Sequence, residues 1–163
     1  MRRLLVPMAA IAVAGVLLAF RPAPETTLDA STLNGAWKTV QVHAELQDTT
    51  WTRDEDRPNI VVFSDGHWAS LRIAGEGVRE DLPEDPTDEQ LLEAWRPVRA
   101  SAGTYSLSGS TMTSTTTISK SPNAMNEQRA SESKITLEGN KMVRVFTNPE
   151  NGNTWTVTSE RID

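Results

Sequence analysis

Leu33-Asn34-Gly35-Ala36-Trp37 opens the part of this 163-residue chain in which β-branched and aromatic residues become frequent. From Gly35 onward these residues recur in short runs separated by turn-forming residues, a pattern typical of β-strands. Eight strands are predicted, over residues 36–46, 59–64, 67–73, 102–108, 111–119, 132–138, 141–147 and 154–161. The sequence therefore predicts an all-β domain.

Short turn sequences separate the predicted strands in pairs. Ser64-Asp65-Gly66, Ser108-Gly109 and Glu138-Gly139-Asn140 favour tight reversals, and residues 149–153 join the last pair. Tight turns connect antiparallel neighbours, so the strands are expected to follow one another as a meander. A sheet of this kind can close into a barrel, which removes both exposed edges. An open sandwich or roll with the same strand order is the alternative.

Residues 74–101 interrupt the strand pattern with an acidic, proline-rich insertion. Thr87 is followed three residues later by Gln90, the spacing of a capping box, which predicts one short helix. Its apolar residues form a single stripe, namely Leu91, Leu92 and Trp95. Such a helix is expected to lie over an open end or a side of the barrel, either as a gate or as a structural plug.

The N-terminal part of the chain has the composition of an export signal. Two arginines precede an apolar stretch over residues 4–20, so residues 1–23 are predicted to be a signal peptide or an N-terminal anchor. Residues 24–32 are predicted to be a flexible tether and residues 33–163 the barrel domain. The chain is expected to be exported, and to be periplasmic, secreted or anchored to a membrane by an uncleaved leader.

Composition excludes several classes of function. Three of the 16 basic residues precede residue 23 and none of the 22 acidic residues does, so the remainder carries a net charge of −9. Such a surface repels phosphate backbones, and no nucleic-acid partner is expected. The chain has no Cys, no His pair with ligand spacing and no phosphate-binding glycine loop, so neither a metal nor a cofactor is expected.

Three segments together resemble the lipocalin-like domains of bacterial exported proteins, within the calycin superfamily. They are Leu33-Asn34-Gly35-Ala36-Trp37-Lys38, Phe63-Ser64-Asp65-Gly66-His67-Trp68 and Gly103-Thr104-Tyr105-Ser106-Leu107-Ser108-Gly109. The resemblance implies an antiparallel up-and-down barrel of about eight strands that binds a small, partly apolar molecule. It further implies that Gly35, Trp37 and Arg161 close one end of the barrel, with the guanidinium across the indole.

The direction of the first strand leaves two hypotheses open. If Trp37 faces inward, strict alternation places Gln41 and His43 inside and Val40 and Val42 outside. A bulge after Trp37 would instead return the valines to the core. The first hypothesis gives a polar, partly wet cavity.

Five residues are the candidates for binding a ligand, and no catalytic residue is predicted. Gln41 and His43 follow from the alternation, and Tyr105 combines an apolar ring with a hydroxyl. Arg129 and Arg144 offer a guanidinium to an anion if they point inward. A small-molecule ligand is the expected partner, and contact with a membrane is expected only through the N-terminal segment. The alternatives are an envelope interaction module whose cavity is filled by side chains, or a barrel isomerase or lyase.

Overall fold

The computed structural model describes residues 27–75, 79–128 and 130–163, so the predicted leader and Arg129 lie outside the described residues. The strands of this part are β1 (Gly35–Glu45), β2 (Thr50–Asp54), β3 (Asn59–Ser64), β4 (His67–Ile73), β5 (Val98–Ser108), β6 (Thr111–Ser119), β7 (Ala130–Glu138), β8 (Lys141–Thr147) and β9 (Thr154–Arg161). Its helical segments are a 3-10 helix (Ala30–Leu33), α1 (Asp88–Trp95) and α2 (Pro122–Glu127).

The strands form one antiparallel sheet that closes into a barrel. From β3 to β9 each strand pairs with its neighbour in sequence, and β1 closes the ring by pairing with both β3 and β9. β2 and β3 lie end to end along the same edge of β1, so the ring has eight positions. The prediction of an all-β antiparallel barrel of about eight strands is confirmed, and β2 is an element that the sequence analysis did not predict.

One end of the barrel is packed and the other is open. Trp37, Phe63 and Met112 are almost fully buried at the packed end, and the 3-10 helix lies beneath them with Leu33 completely enclosed. The turns β3–β4, β5–β6 and β7–β8 lie at this end. The opposite end carries the helices α1 and α2 and the connections that precede β2 and β9.

A bulge in β1 decides which side chains point inward. Thr39 pairs with Ser159 and Gln41 pairs with Thr158, so Val40 is the extra residue. Beyond it Val42 faces the interior and Ala44 is fully buried. Of the two hypotheses for this strand, the bulge after Trp37 is confirmed. The hypothesis that Gln41 and His43 share the inward face of Trp37 is wrong, because one inserted residue exchanges the two faces of the strand.

The helix α1 begins where the capping box predicts. The Thr87 side chain accepts a hydrogen bond from the Gln90 amide, and the Gln90 side chain accepts one from the Thr87 amide. Its apolar stripe, however, stays about half exposed, with Trp95 at 56 %. The stripe does not pack on the barrel as expected. The Lys120 ammonium donates hydrogen bonds to the Trp95 and Arg96 carbonyls at the C-terminal end of the helix. No helix in the described ranges is long and apolar enough to cross a bilayer.

Candidate functional site

The open half of the barrel encloses a cavity of about 610 Å³. Cavities that hold small ligands have volumes of about 300–1,000 Å³, so this one has a suitable size. Its hydroxyl-bearing wall comes from β6 and β7, through Ser114, Thr116, Ser131 and Ser133. Its aromatic wall contains Trp51, Trp68, Phe146 and Trp155. The cavity is thus neither a plain apolar core nor a fully polar channel.

The cavity wall continues from β3 into β2 because the Asn59 side chain bonds to β1 at the gap between these two strands. Its side-chain oxygen accepts a hydrogen bond from the Thr39 amide at 2.7 Å, and its side-chain nitrogen donates to the Thr39 carbonyl at 3.0 Å. The side chain thereby replaces the backbone partner that β1 lacks at this position. The chain on the other side of the break then brings Trp51, Arg53 and Glu55 to the cavity.

Arg53 and Glu55 form a compensated charge pair in this wall. Their side chains meet at 3.1 Å, and Glu55 is only 9 % exposed. The Arg53 guanidinium also lies 5.5 Å from the Trp51 ring centroid. Glu55 is the only acidic residue that lines the cavity within the described part of the chain.

Arg144 is the cavity residue with the most distinctive electrostatic setting. It lies in β8 between Ile135 of β7 and Val157 of β9, and it borders the cavity. The Arg144 side chain is partly accessible to solvent from the cavity. The surrounding protein atoms still remove much of its hydration, and this burial lowers the pKa of the guanidinium. Its guanidinium carbon lies 5.8 Å from the Phe146 ring centroid. No carboxylate of residues 27–75, 79–128 and 130–163 forms an ion pair with it.

Of the five candidates from the sequence, the structure places Arg144 in the cavity wall. Gln41 and His43 lie on the outer surface of β1, where their side chains bond to Asp54 and Thr52 of β2. They are not brought together with Arg144. Arg129 lies outside the described residues.

Tyr105 belongs to the packed end and not to the cavity lining. Its ring meets Phe63 edge to face, with centroids 5.3 Å apart. Its hydroxyl donates to the Ala30 carbonyl at 3.3 Å, which connects β5 to the 3-10 helix. Burial raises the pKa of this phenol.

The three residues expected to close the barrel lie together at the packed end. The Arg161 guanidinium lies over the Trp37 ring, and the indole N–H donates to the Leu33 carbonyl at 2.8 Å. Gly35 has a φ of +127°, and a Cβ there would lie 2.3 Å from the Arg161 side chain. Glycine is needed because the guanidinium occupies that space.

Sequence reasoning missed most of the cavity wall. The alternation of Trp51, Arg53 and Glu55 is a signal of a strand with one inward face, but it overlaps the acidic run of residues 54–56, which is equally typical of a solvated loop. Trp155 and Val157 alternate in the same way in β9 and also line the cavity. Their inward direction follows from the pairing of β9 with β1 beyond the bulge.

No protein-family model matches the chain. No curated protein matches it either. The closed antiparallel barrel is consistent with a lipocalin-like fold, and the site must be interpreted from its own geometry. No group of three or more histidine or acidic side chains in the described ranges is arranged to hold a metal ion.

Proposed function

We propose that the protein is an exported lipocalin-like barrel that binds a small, partly apolar molecule in its cavity without transforming it. The observation that carries this proposal is the space of about 610 Å³ in the open half of the barrel. Aromatic rings and hydroxyl groups share its walls, which suits a molecule with an apolar body and a few polar atoms.

The volume favours binding over a purely structural or interaction role. A barrel that serves only as a scaffold for partners has no need of space among its inward side chains, and close packing stabilises the fold. Here the packed end supplies the core. In the open half, Ser114, Ser131 and Ser133 stand at lining positions where a packed barrel would have large aliphatic residues. Small side chains at these three positions leave the space vacant.

Binding is also favoured over an isomerase or lyase reaction. Such a reaction would need an inward carboxylate or imidazole free to move a proton. Glu55, the carboxylate in the described wall, is held by Arg53 at 3.1 Å. His43 and His67 are engaged on the outside of the barrel, by Thr52 and by the Asp65 carbonyl.

Export and partners follow from the sequence. The basic and apolar pattern of residues 1–23 supports export, with a membrane contact through this segment if it is retained. The acidic surface of the remainder disfavours nucleic acid as a partner. The proposed partner is therefore a small molecule that is encountered outside the cytoplasm.

Native mass spectrometry of the protein isolated from its own cells tests the proposal. Ser131→Trp places an indole in the cavity, whereas Thr136→Trp adds the same group to the exposed outer face of the same strand. We expect the unmodified protein and Thr136→Trp to carry a small-molecule adduct that Ser131→Trp lacks. Equal adduct occupancy in all three proteins would contradict binding in the cavity.

A further inference from the structure

Within the described part of the chain, no acidic side chain compensates the charge of Arg144. A charged side chain removed from water is strongly unfavourable unless an opposite charge and hydrogen bonds replace the lost hydration. Among the described residues, the Arg144 guanidinium contacts only the Phe146 ring, whose centroid lies 5.8 Å from the guanidinium carbon. By contrast, the other buried charge in the wall, Glu55, has its partner at 3.1 Å. The wall therefore leaves the guanidinium of Arg144 available to a ligand.

The cavity as a whole is positive although the domain is negative. Arg53 and Glu55 cancel, which leaves Arg72 and Arg144 uncompensated among the charged residues of the described wall. Near the open end Arg72 also lies directly opposite Arg99 of β5, a cross-strand pairing of like charges that adds to the positive charge there. Positive charge inside an otherwise acidic domain directs small anions to the cavity.

The surroundings of Arg144 offer an adjacent place for an apolar body. Phe146 and Trp155 form a nearly parallel stack, with ring centroids 5.2 Å apart and an interplanar angle of 14°. Both rings line the same cavity as Arg144. A flat ring of a ligand can pack on this aromatic wall while its charged end reaches the guanidinium.

We infer that the ligand is a small amphipathic carboxylate, whose oxyanion binds Arg144 and whose flat apolar body packs against Phe146 and Trp155. This inference rests on the proposed binding function and adds the chemical class of the ligand. A guanidinium fork matches a carboxylate with two parallel hydrogen bonds, which are stronger than those between neutral groups. Arg144 is thus a specificity-determining residue of the site.

Two probes of the same shape test the inference, 2-naphthoate and the neutral 2-naphthylmethanol. Isothermal titration calorimetry measures both against the unmodified protein, Arg144→Met and Lys141→Met. Lys141 lies in the same strand as Arg144 on an exposed outer position, so its variant controls for the loss of one positive charge. Methionine at position 144 keeps much of the side-chain volume and removes the charge.

We expect the unmodified protein and Lys141→Met to bind 2-naphthoate about tenfold or more tightly than 2-naphthylmethanol, the preference of a charge-assisted pair. Arg144→Met should lose this preference while it still binds the neutral probe. Equal affinities of the unmodified protein for both probes would overturn the carboxylate and leave cavity binding intact. A preference that survives in Arg144→Met would overturn the role of this residue. Failure of both probes to bind the unmodified protein would count against the proposed function itself.

The stability of the ligand-free protein gives a second measurement. Removal of an uncompensated buried charge is expected to raise the melting temperature of Arg144→Met, whereas Lys141→Met should leave it nearly unchanged. A fall in the melting temperature of Arg144→Met would show that the guanidinium is already satisfied by the protein, which contradicts its availability to a ligand.

Discussion

The guanidinium carbon of Arg161 lies 4.3 Å from the centroid of the Trp37 indole ring. The same guanidinium donates hydrogen bonds to the carbonyls of Thr32 and Asn34, so the last strand is tied to the first strand and to the segment beneath it. Since these contacts join residues more than 120 positions apart, they hold the closed form of the sheet. The barrel and its cavity both depend on this closure.

Replacement of Arg161 by methionine should therefore destabilise the whole domain. The variant loses a cation–π contact and charged hydrogen bonds, and the expected cost is about 2 kcal/mol. Urea unfolding of Arg161→Met, Trp37→Phe and the double variant measures the coupling between the two residues. Additive effects of the two substitutions would mean that the contact contributes nothing.

Gly35 should be far more sensitive to substitution than a glycine whose positive φ lies in the ordinary left-handed region. Gly35→Ala introduces a Cβ 2.3 Å from the Arg161 side chain, in addition to the strain of a φ of +127°. Gly139 has a φ of +62° with open space around it, so Gly139→Ala reports strain alone, about 1 kcal/mol. Thermal unfolding should show a larger loss for Gly35→Ala, and equal losses would argue against the clash.

Replacement of Asn59 by alanine or by aspartate should lower the stability of the domain. Asn59→Ala leaves the Thr39 amide and carbonyl without partners, at an expected cost of about 1–3 kcal/mol. Asn59→Asp keeps an acceptor for the Thr39 amide but brings a carboxylate against the carbonyls of Thr39 and Arg57. Denaturant unfolding near neutral pH should rank the aspartate variant at or below the alanine variant. An aspartate variant as stable as the unmodified protein would refute the two-sided pairing.

Tyr105 should make the domain sensitive to alkaline pH. Burial raises the pKa of this phenol above its ordinary value of 10.0, so the unfolded chain loses its proton at a lower pH than the folded chain. The resulting stability is present below pH 10 and is lost as the pH rises through the folded-state pKa. Tyr105 is the only tyrosine of the chain, so phenolate absorbance measures its titration directly. Tyr105→Phe should lose stability less steeply over this range.

Loss of the α1 cap should have a local effect. Thr87→Ala removes the side-chain acceptor of the capping box, which stabilises a helix by about 1 kcal/mol. No residue of α1 is buried, so its opening leaves the barrel intact. Hydrogen exchange of residues 88–95 should become faster while the melting temperature of the domain hardly changes. A marked fall in melting temperature would mean that α1 supports the barrel.

Local signals made part of this structure predictable from sequence. Three features depend on a few consecutive residues, and each lies where it was expected. They are the capping box at Thr87, the turn at Gly66 and the glycine two residues before Trp37. Barrel closure was predictable because strands joined by tight turns stay beside their neighbours.

The cavity wall was harder to predict because it depends on relationships between strands. A single bulged residue at position 40 changes the direction of every later side chain in β1, and no local pattern marks it. The uncompensated charge of Arg144 likewise depends on the residues that face it from other strands. For this reason the sequence predicts an anion-binding role for Arg144 only on the condition that its side chain points inward.

The bulge at Val40 also bears on how the cavity lining tolerates a change in strand length. Deletion of this one codon would restore regular pairing with β9 and leave Val42 and Ala44 facing inward, because Val40 is the residue without a partner in that strand. Gln41 and His43 would stay on the outer face, and the aliphatic part of the lining would be kept. The length of β1 at this point can therefore change by one residue without altering the surface that a bound molecule would meet.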